Sequence, residues 1–527
     1  MPETFYITTA IPYVNARPHL GFALEIIQTD AFARYRRLVG EDVWFLTGTD
    51  DNSLSNVRAA EDEGIATRDL VDRNTAYFEA LKDQLDISFD DFIKTSSDPR
   101  HLAGATKLWA ACDAAGDIYK KAYQGLYCIS CEQFYSEAEA PGGVCPDHGI
   151  ALELIEEDNY FFRLAKYAER LEQLIVSNEL QIVPPSRRNE VLSFIKMGLD
   201  DFSISRSTER GKGWGVPVPG DPKQVMYVWF DALSNYINAL GYGDDGDLFK
   251  RYWLDNPQRI HVIGKGIIRF HAVYWPAMLL SAGIPLPKTI FVHGYVTLDG
   301  AKMSKTQGNV IDPIDLRNSF GVDALRYYLL RRIHPTQDAN FTVDEFIRSY
   351  NADLADQLGN LLSRVVGMVG RYYEGAVPKP GAEHAEEDNI KFKATSLFAK
   401  IDAAMRAWSP ADALGAIWDL IAEANRYVVE IEPWKLAKVR GVDPDAEDRL
   451  ASCLWSLAEV LRIAAWALRA FVPSTADEIA LRLAIAFDEQ TLDSALSWGQ
   501  YPPGTKLQSS GSLFPKIEVE SSDQQGP

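Results

Sequence analysis

Residues 5–50 read FYITTAIPYVNARPHLGFALEIIQTDAFARYRRLVGEDVWFLTGTD, and this stretch decides the fold. Phe5 to Ala10 form a short run of strand character, which Pro12 ends because it cannot donate to a ladder. Leu20, Leu24, Ile27, Ala31, Tyr35 and Leu38 then recur at spacings of three and four, with Pro18 suited to a helix entrance and Gly40 to its exit. DVWFLTGTD follows as a second strand. Strand, helix, strand with short connections is a βαβ unit, whose right-handed crossover puts ligands at the strand C-termini, where Tyr13 and Asp50 lie. At the helix start, Pro18-His19-Leu20-Gly21 offers free backbone N–H groups and the positive end of the helix dipole to an anion. Gly21 permits close approach, and His19 can donate to phosphate oxygens. By itself, a histidine in this position is more often a plain cap or packing residue.

The chain has 527 residues, enough at about 150 per domain for three or four domains. Its 46% hydrophobic and 24% charged content excludes a disordered, collagen-like or disulfide-scaffold protein. The net charge of −21 argues against coating nucleic acid by bulk attraction, although local basic patches stay open. MPETFYITTAIPYVN has no basic segment leading into an apolar one, and charge interrupts the apolar runs, so neither export nor a membrane anchor is expected. Three of five cysteines fall between 128 and 145, which suits a metal site in a reducing compartment, the cytoplasm, better than disulfides.

Strand and helix patterns yield to Gly, Pro and clustered Cys over 114–221 and resume at MYVWFDALSNYINAL, so that stretch reads as an insertion. The expected organisation is two halves of an α/β sheet at 1–113 and 222–287, with the insertion at 114–221 between them. A region at 288–349 carries the basic turn GAKMSKTQGN, an all-helical part covers 350–490, and a tail covers 491–527. In the helical part, Leu354, Leu358, Leu361, Leu362 and Val365 stripe one face.

Cys128-x2-Cys131-x13-Cys145-x2-His148 gives three thiolates and one imidazole, a closed tetrahedral set for one structural Zn²⁺. Lys302, Ser304, Lys305 and Thr306 follow a strand between Gly300 and Gly308, as a loop carrying two ammonium groups or as a plain solvated turn. Trp229, Ala232 and Tyr236 fall on one helix face, a spacing that suits a pocket wall or ordinary core. Asn360 and Arg364 are four apart on a helix, and Trp434 follows Pro433 at a helix entrance. Asn and Arg can read base edges and Trp can stack on a base, while the bland alternative is a surface pair and a core ring.

Taken together and in order, AIPYVNARPHLG, GLYCISCEQF, YVWFDALSNY, AKMSKTQGNVIDP and NADLADQLGNLLSR resemble segments of the methionyl-tRNA synthetase family of class I aminoacyl-tRNA synthetases, in its single zinc-knuckle form without a C-terminal dimerisation domain. The resemblance runs from Phe5 to about Glu518. It implies an α/β fold: a class I Rossmann-type parallel sheet split by an inserted zinc-knuckle domain, a tRNA-stem-contact region with the Lys loop, and an all-α anticodon-binding bundle. It also implies ATP-dependent activation of L-methionine and transfer to tRNA(Met), with Mg²⁺ accompanying ATP and a monomer expected. The implied catalytic residues are His19, Lys302 and Lys305, with Pro18, Gly21, Phe22, Gly264, Ser304 and Thr306 also at ATP. The implied methionine pocket is Ile11, Tyr13, Trp229, Ala232, Tyr236, Ile267 and His271, with Asp50 holding the ammonium. Asn360, Arg364 and Trp434 match positions that bind the CAU anticodon.

The chain departs from the family pattern at Phe22, where a second histidine is usual, at Gly266, where an aspartate is, and at Asn52 and Ser53, which replace histidine and glycine. Each lost hydrogen bond would cost about 1–3 kcal/mol unless neighbours such as Asp51, Asn52 or Arg269 compensate. Two rivals follow: a paralogue that delivers an aminoacyl adenylate to a small-molecule amine, and an inactive tRNA-binding protein. Retention of Asn360, Arg364 and Trp434 counts against the first, and the loop lysines with the methionine pocket count against the second.

Overall fold

A computed structural model of the chain describes residues 2–129, 133–135, 137, 139–146, 149–298, 301–302, 311–382, 384–488 and 490–518. The first unit is the expected one: β1 (Thr4–Thr8), α1 (Leu20–Leu38) and β2 (Asp42–Thr49), with Gly40 at φ +90° turning the chain between helix and strand. β1 and β2 pair in parallel, Tyr6 opposite Trp44 and Ile7 opposite Phe45. The strand stops two residues short of the expected Ala10. The Ala10 N–H donates to Glu25 Oε1 at 2.8 Å instead of to a neighbouring strand, and pairing resumes only at the single bridge Tyr13–Asp50.

Along the chain follow β3 (Asp91–Lys94), β4 (Ile118–Cys128), β5 (Gln133–Tyr135), β6 (Glu153–Phe162) and β7 (Gln181–Val183). Next come β8 (Phe202–Ser203), β9 (Ser205–Ser207), β10 (Pro217–Val218), β11 (Asp221–Met226), β12 (Arg259–Gly264) and β13 (Thr289–His293). Six of these strands form one parallel sheet in the order β3-β2-β1-β12-β13-β7. The order reverses direction between β1 and β12, which opens a crevice at their C-terminal ends. Between β3 and β12 the chain builds two antiparallel sheets, β5-β4-β6-β8 and β10-β11-β9, and also supplies β7 to the edge of the parallel one.

The chain divides into two compact units, residues 1–29 with 41–294, and residues 30–40 with 295–527. The first holds the sheets above. The second contains a three-stranded sheet, β15-β14-β16, from β14 (Val296–Leu298), β15 (Ala301–Lys302) and β16 (Ala339–Phe341), and its other described elements are helices. Leu354, Leu358, Leu361, Leu362 and Val365 are all buried, as their stripe predicts. Within this unit Arg326 and Asp30 are fully buried and paired at 2.6 Å, and Arg326 Nε donates to the Phe471 carbonyl at 2.8 Å. Helix Pro444–Leu468 is long and apolar enough to cross a membrane, but its apolar stretch is entirely buried in the protein, with Glu459 and Arg462 paired inside it at 2.7 Å. It is a core helix.

Candidate functional site

The tip of α1 is organised by His19. The Gly21 N–H donates to His19 Nδ1 at 3.0 Å, so the neutral ring carries its own proton on Nε2. A Cβ at Gly21 would lie 2.8 Å from His19 Cε1, so only glycine lets the ring fold back across the helix start. Pro18 is buried and His19 half-buried. Phe22 is turned into the core, edge-on to Phe78 with ring centroids 5.2 Å apart.

Beside the ends of β1, β2 and β12 is a cavity of ≈ 230 Å³, mouth included, lined by Ile11, Asp50, Trp229, Ala232, Tyr236, Ile267 and His271. These are seven of the eight residues implied for the methionine pocket. Tyr13, the eighth, is absent from the lining; its ring lies 6.4 Å from that of Trp229 and its backbone bridges Asp50. Ala10, Leu233 and Asn235 complete the lining. Trp229 lies flat on Phe270, centroids 3.8 Å apart, so the indole presents an apolar wall fixed from behind.

The polar groups of the cavity are fixed by partners that can act in one sense only. The Ile267 carbonyl accepts from His271 Nδ1 at 3.0 Å, which leaves Nε2 to accept from the Tyr236 hydroxyl at 2.7 Å. Burial lowers the His271 pKa to about 4, only partly offset by the Ile267 hydrogen bond, so the ring is neutral. Burial raises the Tyr236 pKa well above its ordinary value, so this group is neutral too. Behind them His261 accepts from Trp275 Nε1 at 3.2 Å and faces Thr8 Oγ1 at 2.9 Å, with its pKa pushed well down by burial. Asp50 is the one acidic residue on the lining.

The sequence reading missed Glu25, His293, Asp231 and His101. Glu25 holds the Ala10 N–H at the cavity rim and faces His293 Nε2 at 2.8 Å. Three of them share a signal, an ionisable residue inside an apolar run: Glu25 among Leu24, Ile26 and Ile27, Asp231 between Phe230 and Ala232, and His293 after Ile290, Phe291 and Val292; His101, next to Arg100, carries no such signal. Arg269, named as a compensating residue, donates to Glu139 at 3.2 Å and stacks on Phe194. Asp51 is buried, with a raised pKa, and accepts from the Ser96 hydroxyl at 2.8 Å.

Gly264 ends β12 opposite His293. Lys302 closes β15, and Ser304, Lys305 and Thr306 lie outside the described residues. Of the zinc set, Cys128 and Cys145 are buried in a small cluster with Tyr135 and Ala140, whereas Cys131 and His148 lie outside the described residues. Among the described residues no group of three metal-ligating side chains occurs. The turn after Cys145 is tight: the Gly149 N–H donates to the Cys145 carbonyl at 2.8 Å, with Gly149 at φ +66°. In the second unit, Asn360 begins helix Asn360–Tyr373 with Arg364 exposed on it, and Trp434, in helix Pro433–Val439, is 40% exposed, so it is not a core ring.

The family described as tRNA synthetases class I (M) matches residues 5–153 and 149–366. A methionine–tRNA ligase of Brucella suis biovar 1 is 44% identical over 526 residues, covering 99% of each chain. One of Clostridium tetani is 43% identical over 521 residues, 98% of this chain and 79% of that protein. The structure of Mycobacterium tuberculosis methionyl-tRNA synthetase in complex with methionyl-adenylate superposes with a TM-score of 0.92 at 41% identity, over 97% of this chain and 100% of that one. The chain therefore belongs to the class I tRNA synthetases, and within them to the methionyl-tRNA synthetase family.

The neutral His271 makes stability depend on pH. Its pKa falls from 6.5 to about 4 on burial, so between those values the unfolded chain binds more protons than the folded one. Stability is fully present above pH 6.5 and declines as pH drops towards 4, by about 3 kcal/mol from this group. Denaturant titrations across that range should show the decline, and His271→Gln should flatten it in part, since His261 contributes in the same direction. An unchanged slope in the variant would contradict the assignment.

Proposed function

We propose that this chain is a methionine–tRNA ligase. It joins the carboxylate of L-methionine to the α-phosphorus of ATP, releases pyrophosphate, and passes the methionyl group to the 3′-terminal adenosine of tRNA(Met). The observation that carries the reading is the cavity: neutral, aromatic-walled, with Asp50 its one acid, in a chain similar end to end to relatives of that name. An unbranched thioether suits aromatic walls, and an α-ammonium suits a single carboxylate. A carboxylate oxygen attacks the α-phosphorus as its bond to pyrophosphate breaks, and charge grows on the phosphoryl oxygens. We assign the answering of that charge to the His19 Nε2–H at the helix tip, with Pro18 and Gly21 beside it, and to the ammonium groups of Lys302 and Lys305. Gly264, Ser304 and Thr306 complete the ATP site, with Mg²⁺ entering as the ATP complex. Phe22, next to this site in sequence, packs into the core behind it on Phe78.

The burial of Cys128 and Cys145 in one cluster fits a thiolate-rich Zn²⁺ site, completed by Cys131 and His148. With four protein ligands the metal has no open position, so its part is to fold the knuckle. Asn360, Arg364 and the exposed Trp434 suit single-stranded anticodon bases. We assign the enzyme to the cytoplasm, as a monomer, in line with cysteines spaced for a metal site and not for disulfides. Similarity to methionine–tRNA ligases over the whole chain disfavours the small-molecule acceptor alternative that the motif departures raised.

The pure protein is expected to catalyse methionine-dependent exchange of pyrophosphate into ATP and to charge tRNA bearing a CAU anticodon; no exchange by zinc-loaded protein would sink the reading. Lys305→Ala should slow exchange by about a hundredfold or more while methionine binding persists. Trp434→Ala should weaken tRNA charging by roughly ten- to a hundredfold and spare the exchange. Metal analysis should find about one zinc per chain, lost in Cys128→Ser; a metal-free but fully active protein would remove the knuckle assignment.

A further inference from the structure

We propose that Asn52, Asp231 and His101 are positioning residues that tie the ammonium-binding carboxylate of Asp50 to the aromatic wall across the cavity; the inference rests on the methionine reading and deepens it. Asp50 follows directly on β2 at the bridge to Tyr13, which fixes its backbone and leaves its carboxylate to be oriented by the loop that begins there. Here the loop is tied down from the far side. Asp50 Oδ1 accepts from the Asn52 N–H at 3.3 Å, and the Asn52 side-chain amide donates to the Thr95 carbonyl at 3.3 Å and to Asp231 Oδ2 at 2.7 Å. Asp231 lies on helix Val228–Leu233, between the cavity residues Trp229 and Ala232. One side chain thus links the two walls.

The other half of Asp231 is equally engaged. Its Oδ1 faces His101 Nε2. His101 Nδ1 meets the Asn238 amide nitrogen at 3.3 Å, and that nitrogen also donates to Ser234 Oγ at 2.7 Å and to the His101 carbonyl at 3.2 Å. A carbonyl can only accept, so the Asn238 amide is fixed in orientation, His101 Nδ1 is the acceptor, and Nε2 carries the proton given to Asp231. Helix Pro99–Ala114 comes this close because position 104 is glycine: a Cβ there would lie 1.9 Å from Asn238 Oδ1. Asn52 is 4% exposed, while Asp231, His101 and Asn238 are fully buried. None of the four lines the cavity, so they act through Asp50 and the helix that bears Trp229.

The network also gives a reason for asparagine where the family pattern has histidine. An amide nitrogen donates to two acceptors at once, here Thr95 and Asp231, whereas a neutral imidazole has one N–H. A lone carboxylate at such a depth is costly, so removing the bridge moves the loop or the helix.

The test measures binding of methioninol, which keeps the ammonium and the side chain, and of 4-(methylthio)butanoate, which keeps the side chain but lacks the ammonium. In Asn52→Ala, methioninol affinity and the methionine KM for exchange should each worsen about tenfold, the loss of one net hydrogen bond's worth of alignment. The des-amino acid and the ATP KM should stay within about twofold. Asn52→His should recover part of the methioninol affinity. Equal weakening of both ligands, or of neither, overturns the proposal, and should Asn52→Ala fail to fold, the same ratio in Asn52→His decides. Absence of methionine-dependent exchange in the unaltered enzyme would instead strike the reading beneath it.

Discussion

The six-stranded parallel sheet has its central strands buried on both faces, and this constraint governs where chemistry can occur. Side chains within β1 and β13 are mainly taken up by core, and the polar groups they bring to the site, Thr8 and His293, stand at their C-terminal ends. Functional groups are confined to the places where strands end. Ala10 and Ile11 follow β1, Asp50 follows β2, and Ile267 follows β12, all around one cavity. The early end of β1 is part of the same arrangement, because Glu25 takes the Ala10 N–H out of the ladder and frees the chain to bend over the crevice.

The cavity is selective through what it lacks. Two groups that could carry charge, His271 and Tyr236, are held neutral by burial and hydrogen-bond each other. A cationic ligand group therefore meets one acid, Asp50, and the rest of the ligand meets rings and methyl groups. A second charge at the floor would favour a polar side chain over a thioether. The stack of Trp229 on Phe270 fixes one wall, which keeps the shape specific as well as the polarity.

Much of this was legible in the sequence, for physical reasons that vary by element. The β1-α1-β2 unit follows from periodicity and from the residues that start and stop a helix, and the structure reproduces it to within two residues at the strand end. Trp229, Ala232 and Tyr236 share a helix face by spacing alone, but that they face a cavity and not core came only with the family resemblance. The supports behind them were not legible. His101 and Asp231 lie 130 residues apart, and Glu25 and His293 lie 268 apart, so no local pattern joins them. Phe22 marks another limit: a departure from the family motif says which side chain is missing, whereas its packing on Phe78 depends on a distant helix. The exposure of Trp434 is of the same kind, since Pro433 announces the helix but not which way the ring points.

The strand order carries a consequence for how the molecule is made. β12 lies between β1 and β13, with Tyr6 paired to Arg259, so the centre of the sheet joins residues far apart in the chain, the second of which emerge much later in synthesis. While the intervening antiparallel domain is still being translated, β1 through β3 can associate, but one long side of β1 has no neighbour. The nascent half-sheet leaves the ribosome with an open seam, and closing it over so large a loop is a slow step that rewards shielding by a chaperone.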